Sequence, residues 1–154
     1  MRTCLFLFAS VWLGNAASTA LAQPGEELPI LETFQGAAAK DKQPELKTGF
    51  VAAEGDWKEI WAKVNQQEKL PEVDFGKHFL LVERQDAADP NRRSAAVAKD
   101  EEGIVTVTIH STLIGFESSD RTIYRFHKVS REGVTGVKRF DAKQKKRVVD
   151  PLPK

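Results

Sequence analysis

The chain has 154 residues, 23 Lys and Arg against 22 Asp and Glu, three His and a single Cys. A net charge of +1 provides no broadly basic surface for nucleic acid, and one cysteine cannot form an intrachain disulfide or a thiolate metal cluster. The fold must rest on its apolar core, which a chain of this size can build by burying about two-thirds of its unfolded surface.

In chain order, Arg2, the apolar run Cys4 to Leu13 and the small-x-small site Ala20-Leu21-Ala22 form the pattern of a secretory signal peptide over residues 1–22. The apolar run falls short of the roughly 20 residues a membrane span needs. The expected product is exported, periplasmic or extracellular, with no integral span after cleavage, and it loses Cys4 with the signal. Residues 23–48 carry prolines, glycines and scattered charge and read as a flexible arm in which residues 30–34 could make one short strand.

A single domain is expected over residues 49–141. Trp57, Ile60, Trp61 and Val64 recur at helical spacing, Asp56 has the chemistry of an N-cap, and Glu59 stands where a capping box places it. The spacing predicts a helix over 57–67 whose inner face carries both tryptophans as core rather than as an open binding platform. Residues 79–84 read as a buried strand and 95–98 as a weaker one. Over 104–110, Val105, Val107 and Ile109 alternate with Thr106, Thr108 and His110, the cleanest strand signal in the chain. Further strands are expected at 122–130 and 134–140. The fold class that follows is α+β, with one N-terminal helix packed on a mostly antiparallel sheet of four to five strands. The predicted core is Trp57, Ile60, Trp61, Val64, Val105, Val107 and Ile109.

Charge is distributed unevenly: residues 23–102 hold 11 basic and 17 acidic side chains, and residues 103–154 hold 11 basic and 5 acidic. Residues 142–154 read as a basic tail whose Lys143, Lys145, Lys146 and Arg147 form a candidate interaction surface. A search for chemistry finds no nucleophile elbow, phosphate loop, zinc-helix or calcium-loop motif. His78, His110 and His127 lack local ligand spacing. No catalytic residue, metal ligand or cofactor is expected on these grounds. The alternative is a small metal-dependent hydrolase using His110, His127 and Asp74, or a carrier with an apolar pocket between helix and sheet.

The landmarks Trp57-Lys58-Glu59-Ile60-Trp61, then Leu70-Pro71-Glu72-Val73-Asp74-Phe75, the strand Phe79 to Val82, and Thr122-Ile123-Tyr124 leading to Val129 resemble the PrcB-like domain family, named for a subunit of an extracytoplasmic protease complex. The resemblance spans about residues 50–140. Residues 92–98 lack the glycines and tyrosine of the family's middle turn, and Ile123 stands where the family usually has proline. The resemblance implies an exported, non-catalytic domain that binds protein or serves as an accessory subunit in an assembly, with another envelope protein as the expected partner. A sheet edge or the basic tail is the expected contact.

Overall fold

A computed structural model describes the protein over residues 25–65, 68–112, 114–141 and 144–153. The signal segment 1–22 and Lys143 lie outside the described residues. In chain order the elements are β1 (Glu26–Glu27), β2 (Glu32–Ala39), a 3-10 turn (Lys40–Lys42), β3 (Phe50–Val51), α1 (Glu54–Val64), β4 (His78–Asp86), β5 (Arg93–Lys99), β6 (Ile104–Ser111), β7 (Arg121–Ser130), β8 (Gly136–Asp141) and β9 (Lys146–Pro151). The α+β class holds, but the helix is not N-terminal, because three strands precede it. The strands form two sheets instead of one, ordered β1-β5-β6-β8-β9 and β2-β7-β4-β3. All pairings are antiparallel except β6 with β8.

Strand alternation builds three layers from these elements. On β4, Phe79 and Leu81 point to one face and Leu80 and Val82 to the other. The first face packs with Phe50, Val97, Val105, Val129, Val137 and Leu152 into a core between the two sheets. The second joins Val51, Tyr124 and Phe126 against Trp57, Ile60, Trp61 and Val64 of the helix. Trp57 and Trp61 are 1% and 4% exposed. The Trp57 ring is hemmed in by Phe126, Trp61 and Phe34, at centroid distances of 4.8, 5.0 and 5.9 Å, and its indole N–H donates to the Pro71 carbonyl at 3.0 Å. Both tryptophans are thus interior, with no open indole face to serve a ligand.

Several expectations are corrected. The arm at 23–48 supplies β1 and β2, and β2 pairs along its whole length with β7. Its alanines and glycine are weak strand formers, so tertiary pairing decides its conformation over local propensity. The tail at 142–154 supplies β9, which closes a hairpin on β8. The helix starts at Glu54 with Ala53 at the cap, so Asp56 lies inside the first turn, where its charge faces the positive helix end instead of capping it. It ends at Val64, since Asn65 leaves the helical region at φ −150° while its N–H still closes on the Trp61 carbonyl.

Ile109, placed in the core by its alternation, is 38% exposed. Exposure rises along β6 from Val105 through Val107 to Ile109. Over the same stretch the facing strand β4 passes from Phe79 and Leu81 to Glu83 and Gln85, so apolar cover runs out. Among the described residues, no helix is long and apolar enough to cross a membrane.

Candidate functional site

Among the described residues, most of the buried polar side chains lie where the inter-sheet core stops being apolar. Glu83, Gln85, Asp89 and His127 are at most 9% exposed. Glu83 accepts from Arg125 at 3.3 Å and faces His127 Nε2 at 3.2 Å, with Arg93 at 3.8 Å. His127 Nδ1 lies 3.0 Å from the Thr33 hydroxyl, and Gln85 donates to the carbonyls of Asp89 and Asn91 at 3.1 Å. Burial raises the Asp89 carboxyl, but hydrogen bonds from Asn91 and Arg93 outweigh it and leave the group below the usual carboxylate range. Each charge here has a partner, as low-dielectric burial requires. The network ties β2, β4, β5 and β7 together.

Above it, the loops of one end of the sandwich gather. Strands β4 and β6 run toward this end, β5 and β7 start from it, and β2 finishes there with Ala39 opposite Arg121. The connection 112–120 is held at both ends. On one side Asn91 accepts from the Thr112 hydroxyl at 3.0 Å and the Ile114 amide at 2.7 Å, and donates to the Ile114 carbonyl at 2.9 Å. On the other, Asp86 accepts from the Ser118 hydroxyl at 2.6 Å, and from the Ser119 amide, the Ser119 hydroxyl and Lys40 at 2.9 Å each. Lys40 also donates to the Ser118 hydroxyl. Hydrogen bonds from Ser118, Ser119, Lys40 and the Ala88 amide hold the Asp86 carboxyl far below the usual carboxylate range.

Between these two anchors stand Ile114 and Phe116, 57% and 44% exposed, flanking Gly115. An isolated exposed apolar side chain is ordinary. Here the two stand together on a loop hydrogen-bonded at both ends.

His110, His127 and Asp74 of the hydrolase alternative are not brought together. His127 lies between the sheets, whereas His110 sits on the outer face of its sheet and is exposed. Asp74 lies in the turn before β4, where it accepts from the Gly76 amide at 3.0 Å and meets Lys77 at 3.6 Å. Among the described residues, no three His, Cys, Asp or Glu side chains are grouped to hold a metal ion. Between helix and sheet, the rings of Trp57, Trp61 and Phe126 close on one another. A hollow of about 560 Å³ lies open at the surface where the helix start meets the sheet, lined by Trp57, Leu70, Val73, Phe75, His78 and Lys128.

Of the predicted basic surface, Lys145, Lys146 and Arg147 are exposed, with Lys145 in the left-handed region (φ 50°) at the β8–β9 turn and the other two opening β9. Sequence reasoning passed over the buried network. Its signal was the period of β4: Glu83 and Gln85 continue the same face as Phe79 and Leu81. No protein family model, curated protein or solved structure matches the chain.

Proposed function

We propose that the chain is an exported, non-catalytic protein-binding domain of the PrcB-like kind, an accessory subunit of an extracytoplasmic assembly that contacts its partner through the 112–120 loop. The observation that carries this reading is the exposure of Ile114 and Phe116 on a loop fixed by Asn91 and Asp86. A partner with a shallow apolar pocket suits such a tip, because a few side chains seated in desolvated pockets near the centre supply most of the binding energy at protein interfaces. Export rests on the signal pattern at 1–22, and the family reading on the tryptophan helix and the Val73-Asp74-Phe75 strand entry.

The test is parallel affinity capture from the native envelope with the unaltered protein and with the Ile114→Ser/Phe116→Ser variant. An envelope protein retained by the former and lost from the latter, with direct binding reproduced from purified components, is the expected result. Identical capture by both forms sinks the loop as the contact.

A further inference from the structure

Every open sheet must end in edge strands, and unpaired main-chain groups on such strands invite pairing unless something blunts them. Among the described residues, the first sheet ends in β1 and β9 and the second in β2 and β3. Strands β1 and β3 are two residues each, too short to template much. Strand β9 is guarded by chemistry. Lys146 and Arg147 open it and Pro151 closes it. The Leu152 amide donates inward to the Thr135 carbonyl, so alternate positions from there face β8 and Pro151 stands on the outward side, where it offers no N–H.

Strand β2 has none of these devices. It is 8 residues long and carries no charge from Thr33 to Ala39. The Lys40 amide donates to the Asp120 carbonyl at 2.8 Å in the β2–β7 register. By alternation Glu32, Phe34, Gly36 and Ala38 turn their main-chain groups to β7, and Thr33, Gln35, Ala37 and Ala39 turn theirs outward.

The residues of this strand are complementary to themselves. When a second β2 is laid antiparallel with the two-fold axis between the two Gly36 residues, Phe34 meets the partner's Ala38, Gln35 meets the partner's Ala37, and Thr33 meets the partner's Ala39. Each larger side chain then faces a small one, and the two glycines meet at the closest approach. Just beyond, Glu32 faces the partner's Lys40. In each chain Glu32 already pairs with Lys128 and Lys40 with Asp86, so the new contact links existing ion pairs across the interface. Neighbouring registers lose this match: centring on Gln35 sets Glu32 against Ala38, and centring on Ala37 sets Lys40 against Phe34.

We propose that the β2 edge is a self-association surface, on which a second copy of this chain adds its own β2 antiparallel in the register centred on Gly36. The outward groups of Thr33, Gln35, Ala37 and Ala39 then form about eight main-chain hydrogen bonds, and the β2-β7-β4-β3 sheet continues across both copies. This surface meets the 112–120 loop only at Lys40, which also bonds Asp86 and Ser118, and its pairing does not depend on the loop's role.

Sedimentation velocity over a concentration series tests association, and disulfide capture tests register. With Cys4→Ser in all chains, Gln35→Cys and Ala37→Cys are placed in separate preparations. Their side chains stand opposite one another at a main-chain spacing of about 5.5 Å, within disulfide reach. The expected result is a mass that rises reversibly to that of two chains, with covalent dimers abundant in the mixture of the two variants and scarce in either alone. Ala37→Pro, which removes an outward N–H and leaves the β7 ladder intact, is expected to weaken association at least about tenfold, with its circular dichroism unchanged. A mass that stays at one chain throughout the series overturns the proposal, as does cross-linking no stronger in the mixture than in the single variants.

Discussion

Asp86 shows how one carboxylate can position a loop. Its two oxygens collect hydrogen bonds from both sides of the sandwich end: Ser118 and Ser119 from the loop, Lys40 from the turn after β2, and Ala88 from its own turn. These bonds favour the ionised form and hold its pKa below the ordinary value. When the folded pKa is the lower one, the unfolded chain takes up the proton first on acidification. The stabilisation is therefore complete above the unfolded Asp value of about 3.9 and declines as pH falls toward the folded pKa. Asp86→Asn is expected to lower the urea midpoint at neutral pH, and to speed amide exchange at Ser119 about tenfold by freeing the loop. The gap between the two proteins should narrow as pH drops below about 4. Urea titrations across that range check the sign; a gap that widens in acid contradicts it.

At the scale of elements, what could be read from the sequence follows periodicity strength. Trp57, Ile60, Trp61 and Val64 mark a helix because four large apolar residues fall on one stripe, and Val105 and Val107 mark β6 by alternation. The helix ends were harder, since Ala53 caps through backbone alone and nothing in the side chains announces it. Strand β2 was nearly silent. Its conformation comes from β7 on one side and from the helix above, and neither is local. Gly36 records that origin. A Cβ there would lie 2.8 Å from Val64 Cγ2 and 2.9 Å from the Val64 carbonyl oxygen, so the helix end approaches β2 as closely as a missing side chain permits. In most strands an alanine stabilises relative to glycine. Here Gly36→Ala is expected to cost about 1–3 kcal/mol, the usual penalty of overpacking, because the obstructing atoms include helix backbone. Chemical denaturation measures it, and an unchanged or raised midpoint refutes the close-packing account.

For the whole molecule, the layers depend on contacts between segments far apart in the chain, which is why boundaries drawn by composition placed an arm and a tail where the structure has strands. Residues 26–39 read as a linker because charge and proline surround a modest apolar content, yet β2 covers one flank of β7 and Leu28 enters the inter-sheet core. The same holds for β9, whose Lys146 and Arg147 read as part of a tail while Leu152, just beyond the strand, packs inside. For the candidate loop, the sequence of residues 111–120 shows no more than a gap between two strand signals. Its anchors Asn91 and Asp86 come from another part of the chain, and no local pattern joins them to it. The buried charges complete this arrangement. Glu83 lies on the central pair β4–β7 and draws Arg125 and His127 from β7 and Arg93 from the other sheet. Removing its carboxylate takes the acidic partner from Arg125 and one of two from Arg93, which keeps Asp89, at a point where solvent reaches the guanidinium groups only in part. Glu83→Ala is expected to destabilise the protein by about 3–5 kcal/mol, as loss of one member of a buried ion pair does. Glu83→Gln keeps an acceptor for the Arg125 guanidinium and is expected to cost less than half as much. Paired urea titrations distinguish charge from shape: equal losses for the two variants would mean that the negative charge alone carries the network, and a larger loss for alanine that an acceptor of this shape at this point holds the two sheets in register.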